Sequence, residues 1–379
     1  MRLLKIGTLN MPRNRWEDAL DIFDDIDVFC FDTEEEIKND HIHYIKFDTS
    51  KMLSFFFYRA ARHFNYNRNK ILLCKMCLNI IRLLNISLLR RVNRTEYDAV
   101  HSSYNDFDES AFLTVLLKPE AYVRAQKETR LYYSFFEKWA FQHASRIVLN
   151  DPLNLELFEK KYGQGFVDKK KMVYNIDEDV RTYRLRGNIE YEKKLSNLDN
   201  KIHAVILAGR VLSDPSDSRS GGRLYYIDLI KKLLSAGIVV HLHTANIVEH
   251  DGNNPYKELA STNRDFIIED KLDFSKEPEK AYGILSRYDV GICHAHLPNS
   301  EVTEFDKVNI PHRYYEYHLA HVAPIDIRGG NLLLEKKMKD NHALIVNSFS
   351  ELYLDDIRKI DWDTPFFADY INELYGVIK

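Results

Sequence analysis

The chain has 379 residues, a length that predicts about two domains of roughly 150 residues each. Its hydrophobic content of 45% is typical of a globular protein, and its net charge of −4 excludes nucleic-acid binding through an overall basic surface. Four scattered cysteines exclude a disulfide framework and favour a reducing cytoplasm. Neither a signal peptide nor a run of ~18 apolar residues is visible, so we expect a cytoplasmic protein, soluble or peripherally attached to a membrane.

Short β-type runs alternate with helix-type runs along nearly the whole chain. In the first half, strands are predicted at 3–9, 28–31, 43–47, 98–103, 146–150 and 172–175, with an amphipathic helix at 128–145. In the second half, they are predicted at 203–209, 239–245, 266–269, 290–296, 323–327 and 343–347, with a helix at 222–237. These strands are rich in Val and Ile and largely unalternated, as is typical of parallel strands buried on both faces. The pattern predicts an α/β protein with two doubly wound, Rossmann-like sheets.

The alternation is interrupted once, at 181–200, where the chain is polar and charged and has no apolar face. We interpret this segment as a linker or an exposed excursion. It separates a predicted N-terminal domain over 1–185 from a C-terminal domain over 200–362. A terminal amphipathic helix at 363–379 is in a position to pack back on the first domain. Doubly wound sheets bind ligands at the carboxyl ends of their strands, so we expect a cleft between the domains that is lined by the loops after the strands.

The loop at 207–230 has the features of a phosphate site. A strand ends at Gly209, Arg210 follows at once, and Arg219, Gly222 and Arg223 precede the helix. Free N–H groups at a helix N-terminus and guanidinium groups both favour an anion. A charge directly after a buried strand also needs a partner, which favours a functional role for Arg210. The alternative for Arg219 and Arg223 is a flexible loop with solvated arginines.

The segment PHRYYEYHLAHVAPI, residues 311–325, predicts a short helix that runs into a buried strand. Pro311 suits the first turn, and His312 and Arg313 follow at the positive end of the helix dipole. Glu316 lies about one turn further along, and its carboxylate can accept two adjacent hydroxyls such as those of a ribose. The alternative is a solvated glutamate that pairs with Arg313 three residues earlier.

His101 ends a predicted strand of the first domain, in the stretch DAVHSS. A histidine at such a position can bind or deprotonate a hydroxyl. The alternative is a core histidine that is hydrogen-bonded to the backbone.

Six stretches occur in the order found in one enzyme family: AVHSS, EKWAFQHASRIVLND, YNIDEDV, LAGRV…SGG…LIKKL, LSRYDVGICHAH and IPHRYYEYHLAHVAPI. Together they cover most of the chain. The chain thereby resembles the GT-B glycosyltransferases, and within them the bacterial capsule and lipopolysaccharide sugar transferases related to glycogen synthase. This resemblance implies two Rossmann-like domains that face each other, with the acceptor on the first and a nucleotide-sugar on the second.

The resemblance also implies roles for individual residues. Glu316 would hold the ribose of the donor, Arg210 would contact its diphosphate, and His101 would lie near the transferred sugar or the acceptor. The donor loop would be shaped by Asn309, Pro311, His312 and Arg313.

Three departures from the family pattern stand out. Val308 occupies the position of a second glutamate eight residues before Glu316, Ser220-Gly221-Gly222 stands where a lysine is usual, and His321 replaces a glycine. His321 can adopt a left-handed helix cap, but at some energetic cost compared with glycine. The donor sugar and the stereochemical outcome stay open, with retention favoured by the resemblance.

Residues 51–94 contain ten Lys and Arg and no Asp or Glu, among many Phe, Leu and Ile. Basic amphipathic helices of this kind bind anionic membrane surfaces. The alternative is a helical pair packed on the first domain with a solvated basic face. No recognition motif for nucleic acid accompanies the charge.

We therefore predict a glycosyltransferase at the inner face of the plasma membrane that uses a UDP- or GDP-sugar. Its acceptor would be a surface glycan or a polyprenyl-diphosphate-linked glycan. Neither a metal nor another cofactor is expected, because arginines and a helix N-terminus can stabilise a diphosphate leaving group. The alternatives are a sugar-nucleotide epimerase of the same fold and a non-catalytic, nucleotide-sugar-binding scaffold subunit.

Overall fold

The computed structural model describes the chain in segments. These segments are 1–6, 19–31, 38–48, 52–65, 95–102, 122–125, 135–149, 151–174, 186–214, 224–249, 254–274, 276–293, 313–328 and 344–360, with isolated positions at 36, 73, 76–77, 80–81, 84–85, 87–88, 92, 252, 311, 331, 335–336 and 362. The chain divides into two compact units, one formed by Met1–Ile176 with Ala368–Lys379 and the other by Asp177–Phe367.

The first unit contains a seven-stranded parallel sheet in the order β3-β2-β1-β4-β5-β6-β7. Its strands are β1 Arg2–Ile6, β2 Asp25–Phe31, β3 Ile42–Phe47, β4 Ala99–Ser102, β5 Tyr122–Ala125, β6 Arg146–Leu149 and β7 Met172–Tyr174. Its helices are α1 Met52–Asn65, α2 Phe135–His143 and α3 Pro152–Tyr162.

Both faces of the first sheet are covered by apolar side chains, as the unalternated strands predict. Leu3 and Ala99 belong to one buried cluster, while Leu4 and Val100 belong to another that includes the aromatic side chains of α2 and α3. Successive residues of a strand point to opposite faces, so each strand contributes to both clusters. The sheet is therefore the centre of a three-layer α/β unit.

The second unit contains a six-stranded parallel sheet in the order β12-β10-β8-β13-β14-β15, and β9 pairs with β11 as a separate two-stranded sheet. Its strands are β8 His203–Ala208, β9 Val211–Leu212, β10 Val239–Thr244, β11 Ile247–Val248, β12 Phe266–Asp270, β13 Val290–Ile292, β14 Ala323–Ile327 and β15 Leu344–Val346. Its helices are α4 Ser196–Asp199, α5 Ile227–Ser235, α6 Pro255–Thr262, α7 Pro278–Leu285, α8 Arg313–Leu319 and α9 Leu354–Arg358.

The two faces of the second sheet differ in polarity. Ala204, Ile206, Val240 and Leu242 belong to the main apolar core on one face. On the other face three histidines are part of a buried network of hydrogen bonds. His203 contacts His241 at 2.9 Å, His241 contacts Glu269 at 2.7 Å, and His243 contacts the Tyr288 hydroxyl at 2.8 Å. The ring nitrogens in these contacts each have a hydrogen-bonding partner. The three histidines can therefore be buried without the cost of unpaired polar atoms.

The segment predicted as a linker forms part of the second unit over its described portion, 186–200. Lys194 donates to the carbonyl oxygens of Tyr288 (2.5 Å) and His321 (2.6 Å), and the Ser196 hydroxyl donates to Asp289 at 2.6 Å. Burial lowers the pKa of Lys194 to about 8. Most residues from 187 to 200 are exposed, as expected of an exposed excursion, and the side chains of Lys194 and Ser196 attach this segment to other elements of the second unit.

Most predicted strands lie within a few residues of their positions, but three strands were missed. The sequence of β5 carries an arginine in the middle, and β9 and β11 have two residues each, so none of them has an apolar run. The predicted helix at 128–145 begins at Phe135 in the described residues. The terminal helix predicted at 363–379 lies outside them. Within the described residues, every helix is too short or too polar to cross a lipid bilayer.

Candidate functional site

In the second sheet, the direction in which successive strands are added reverses between β8 and β13. Strands added after β8 lie first on one side, through β10 and β12, and then on the other, through β13, β14 and β15. At such a reversal, the connections leave the carboxyl ends of the two neighbouring strands toward opposite faces, and a crevice forms between them. The candidate donor site is therefore at the carboxyl ends of β8 and β13.

Gly209 and Arg210 directly follow β8, and both are exposed. The chain after them is held by β9, whose Val211 N–H donates to the carbonyl of Asn246 at 3.0 Å. A side chain added at Gly209 would meet no atom within 4 Å. Arg210 is thus an exposed residue whose backbone is held in place by the pairing of the next residue, Val211.

Helix α5 begins next to this backbone. The buried hydroxyl of Tyr256 accepts from the Tyr226 N–H at 2.9 Å and donates to the carbonyl of Leu212 at 3.2 Å. Tyr226 directly precedes α5, so Tyr256 ties the start of the helix to the segment after Arg210. The N-terminus of α5 and Arg210 are in this way held on the same side of the sheet.

Arg313 connects α8 to the start of α5, because its Nη1 donates to the Tyr226 hydroxyl at 2.9 Å. The sequence offered a pair between Arg313 and Glu316 as the alternative to a functional role. In the described part of the chain, the Arg313 guanidinium donates to Tyr226 rather than to Glu316. Arg313 therefore contributes to holding the two helices together.

Glu316 lies in the middle of the seven-residue helix α8 and is only 8% exposed. The solvated glutamate of the alternative interpretation is therefore not found. The chain leaves the carboxyl end of β13 and enters α8 before β14, so the first turn of α8 is at the same edge of the sheet as Arg210. Pro311 is half-buried just before this helix.

His321 does adopt the left-handed cap after α8, with a φ of 55°. The Val322 N–H returns to the carbonyl of Tyr317 at 2.9 Å, as in a Schellman motif. The His321 ring stacks on Tyr191, with 4.1 Å between the ring centroids, and on Trp362, with 5.5 Å. These stacking contacts offset the strain of a non-glycine residue at this position.

Asp326 is a buried carboxyl group close to the same edge of the sheet. It is the second-last residue of β14. It is 4% exposed, and its Oδ2 has no hydrogen-bond donor in the described part of the chain. Burial raises the pKa of Asp326 to about 8, so the group is largely protonated at neutral pH. The sequence signal for it was a lone aspartate inside the apolar strand APIDI.

The remaining predicted donor-site residues lie outside the described residues. They are Arg219, Gly222, Arg223, Asn309 and His312. Their roles stay predictions. In the described residues, no group of three or more His, Cys, Asp or Glu side chains is arranged to hold a metal ion.

The first sheet has its own reversal between β1 and β4, and His101 lies there. It is half-buried in β4 and is in register with Lys5 of β1 and Val123 of β5. Lys5 is 4% exposed and points to the same face of the sheet. A histidine and a lysine are thus brought together at the carboxyl ends of two strands. Lys5 was missed, although a lone lysine inside the apolar run RLLKI is a detectable signal.

Comparison with known proteins gives the fold. No protein-family model matches the chain, and a search of curated proteins finds no relative. Among solved structures, the chain is similar to an α,α-trehalose-phosphate synthase (UDP-forming) from Burkholderia vietnamiensis, with a TM-score of 0.54 and 10% identity over 100% of this chain and 99% of that one. It is also similar to the apo form of the lipopolysaccharide outer core galactosyltransferase WaaB, with a TM-score of 0.50 and 9% identity over 100% and 92%.

The chain therefore has the GT-B fold of glycosyltransferases, as the order of its motifs predicted. The chain shows this fold as two α/β units. Each unit has a parallel sheet in which the order of strand addition reverses once.

Proposed function

We propose that this protein transfers a sugar from a nucleotide-diphosphate sugar to a glycan acceptor. The observation that carries the proposal is the reversal between β8 and β13, where Arg210 and Glu316 are held at the same edge of one sheet. Two charged groups of opposite sign at such an edge match the two ends of a nucleoside diphosphate, a pyrophosphate and a pair of ribose hydroxyls.

The chemistry follows from the charges. Transfer breaks the bond between the anomeric carbon and the diphosphate oxygen, and negative charge grows on the leaving diphosphate. Arg210 is fixed at the end of β8 and would stabilise that charge without reorganisation, with further support from the N-terminus of α5. Glu316 would accept hydrogen bonds from the ribose and so fix the donor in register. Metal independence is part of the proposal, and unchanged turnover in excess EDTA would support it.

The first experiment is thermal unfolding in the presence of UDP-, GDP-, ADP- and CMP-sugars. A ligand at 100 times its Kd stabilises the folded protein by about 2.7 kcal/mol, which is readily measured. The stabilisation should be markedly smaller, though still measurable, in Glu316→Ala and in Arg210→Ala. Two exposed residues of the same unit supply matched controls, Glu258→Ala and Arg264→Ala, which should respond like the wild type. Equal stabilisation in all four variants would refute the proposed site.

The acceptor side of the proposal concerns His101. It would bind the acceptor or the transferred sugar, and the acceptor would be a surface glycan or a polyprenyl-diphosphate-linked glycan. Lys5 beside it suits an acceptor that carries a phosphate. Transfer to membrane extracts of lipid-linked glycan should fall in His101→Ala while donor binding is kept. The anomeric configuration of the product, read by NMR, tests the retention that the resemblance favours.

The two alternative functions give other products. An epimerase would release a free nucleotide or a changed sugar with no acceptor present. A scaffold subunit would bind the sugar nucleotide and turn over neither with nor without an acceptor. Donor binding together with an acceptor-dependent release of nucleotide supports the transferase over both.

The proposal includes peripheral attachment to an anionic membrane through residues 51–94. Helix α1 exposes three apolar side chains near its start: Leu53, Phe55 and Phe56 are 55%, 50% and 65% exposed, while Ser54 is 1% exposed. The guanidinium of Arg59 lies 5.7 Å from the centre of the Phe55 ring. Exposed aromatic side chains beside cations match the boundary between lipid head groups and acyl chains.

Vesicle sedimentation tests this attachment. Vesicles rich in phosphatidylglycerol should bind the protein at low salt, and pure phosphatidylcholine vesicles should bind it much less. The double variant Phe55→Ser, Phe56→Ser should lose binding. Tyr353 of the second unit is 63% exposed, so Tyr353→Ser removes an equally exposed aromatic ring elsewhere and should leave binding unchanged. Failure of the wild type to bind phosphatidylglycerol vesicles would remove the membrane from the proposal.

A further inference from the structure

The phenol group of Tyr317 lies between β8 and β13, at the reversal of the second sheet. Its hydroxyl is 3.2 Å from the carbonyl oxygen of Val205 and 3.1 Å from that of Ile292, and it accepts from the Leu207 N–H at 3.2 Å. The side chain is fully buried. One side chain of α8 thus contacts the backbone of both strands that flank the candidate donor site.

These contacts lie where the ladder between β8 and β13 ends. The two strands are in register at only two pairs, Ala204 with Val290 and Gly291 with Val205. Beyond these two pairs the ladder between β8 and β13 does not continue, so the backbone groups that follow need other partners. The Tyr317 hydroxyl supplies a donor and an acceptor at this place, so it continues the connection between the strands toward their carboxyl ends.

Gly291 makes room for the ring. A Cβ atom at this position would be 2.4 Å from two atoms of the Tyr317 ring, which no real contact allows. Tyr317 is therefore seated directly against the backbone of β13. Because residue 291 of β13 is a glycine, helix α8 can approach the sheet closely. The Tyr317 ring fixes the position of this helix relative to both strands.

Resting on the proposed function, we propose that Tyr317 is the positioning residue of the donor site. Glu316 is its neighbour in α8, and Leu207, which donates to its hydroxyl, is three residues before Arg210. The same hydroxyl therefore fixes the distance between the group assigned to the ribose and the group assigned to the diphosphate. Loss of the hydroxyl would leave both groups present but no longer in register with each other.

Tyr317→Phe removes the hydroxyl and keeps the ring against Gly291. The first readout is amide hydrogen exchange of the peptides that contain Leu207 and α8, which needs no ligand. Exchange should increase in both peptides and stay unchanged in α6. Tyr288→Phe is the matched control, because Tyr288 is equally buried and its hydroxyl contacts His243 at 2.8 Å and Glu269 at 3.1 Å. This control should leave Leu207 and α8 protected.

The second readout is nucleotide affinity, measured by calorimetry with UDP, GDP, ADP and CMP as probes. For the nucleotide that binds, Tyr317→Phe should weaken affinity about tenfold, which equals about 1.4 kcal/mol. In the Glu316→Ala background the same change should have less than about a threefold effect, because the contact that Tyr317 aligns is already absent. Tyr288→Phe should have the same small effect in both backgrounds. A purely structural role of Tyr317 would reduce affinity equally with and without Glu316.

The outcomes separate this inference from the proposed function. A wild-type protein that binds none of the four nucleotides refutes the proposed function, while unchanged exchange of Leu207 and α8 in Tyr317→Phe refutes the positioning role. Nucleotide binding that is equally strong in wild type and Tyr317→Phe also refutes the positioning role and leaves the donor site intact.

Discussion

Asp326 gives the most direct test of the energetics of the second unit. It lies in β14, is 4% exposed, and accepts a hydrogen bond from the backbone of Ile327. Burial raises its pKa from 3.8 to about 8, and the nearby Glu335 raises it further. The folded protein therefore keeps a proton on Asp326 that the unfolded chain has already released at neutral pH.

The sign and size of the effect follow from proton linkage. Between pH 4 and pH 8 the folded state binds more protons than the unfolded state, so this group makes the protein less stable as the pH rises. A pH of 7 lies about 3 pH units above the unfolded pKa of 3.8. Keeping the proton on Asp326 at this pH therefore costs about 4 kcal/mol of folding free energy. An asparagine has a similar shape and no proton to lose, so Asp326→Asn should be more stable than the wild type by about 2–4 kcal/mol at pH 7.

The assay is urea unfolding of wild type and Asp326→Asn at pH 5, 6, 7 and 8. The difference in free energy of unfolding should grow with pH, by up to about 1.4 kcal/mol for each unit. For a folded unit of this size, the gain at pH 7 should raise the Tm by about 5–10 °C. Asp355→Asn is the control, because Asp355 is 86% exposed, and its effect should be small at every pH. A difference that does not change with pH would mean that Asp326 is ionised in the folded protein and would refute the reasoning.

Two further predictions concern the same unit. Gly291→Ala places a methyl group 2.4 Å from the Tyr317 ring and should lower the free energy of unfolding by about 2–3 kcal/mol, whereas Gly209→Ala, which meets no atom within 4 Å, should be neutral in the same urea titration. The hydrogen bond from His241 lowers the pKa of Glu269 to about 2, so this contact stabilises the protein above pH 4.5 and is lost as the pH falls toward 2. Since Glu269 is about one-third exposed, Glu269→Gln should lower stability by about 1–2 kcal/mol at pH 6 and by much less at pH 3, and an equal loss at both would contradict the assignment.

The fold was largely predictable because its signals are local. A parallel strand buried on both faces must be a short apolar run, and such runs located most strands of both sheets. The strands that were missed lack this signal, since β5 carries an arginine and β9 has two residues. The attachment of the segment at 186–200 to the second unit was not predicted, for a related reason. Its polar side chains bind the ends of distant elements, and a sequence does not reveal the partner of a polar group.

The candidate site was predictable where a residue type conflicts with its surroundings. A charge directly after a strand indicated Arg210, and a glutamate among tyrosines indicated Glu316. Lys5 and Asp326 carry the same kind of signal, a single charge inside an apolar strand, but their significance depends on which strand lies beside them. Register decides that, and it is set by packing over the whole sheet.

By itself, the sequence determined the α/β class, the order of the elements and the fold through its ordered motifs, and it singled out Arg210 and Glu316 as candidates for the donor site, which they remain. These properties depend on residue patterns within about one element. The tertiary structure alone decided that β8 and β13 are neighbours, that Lys5 lies beside His101, and that the Tyr317 hydroxyl lies between two strands more than 80 residues apart in the chain. Such contacts join positions whose sequence separation carries no periodic signal, because they are selected by the total burial and hydrogen bonding of the folded chain.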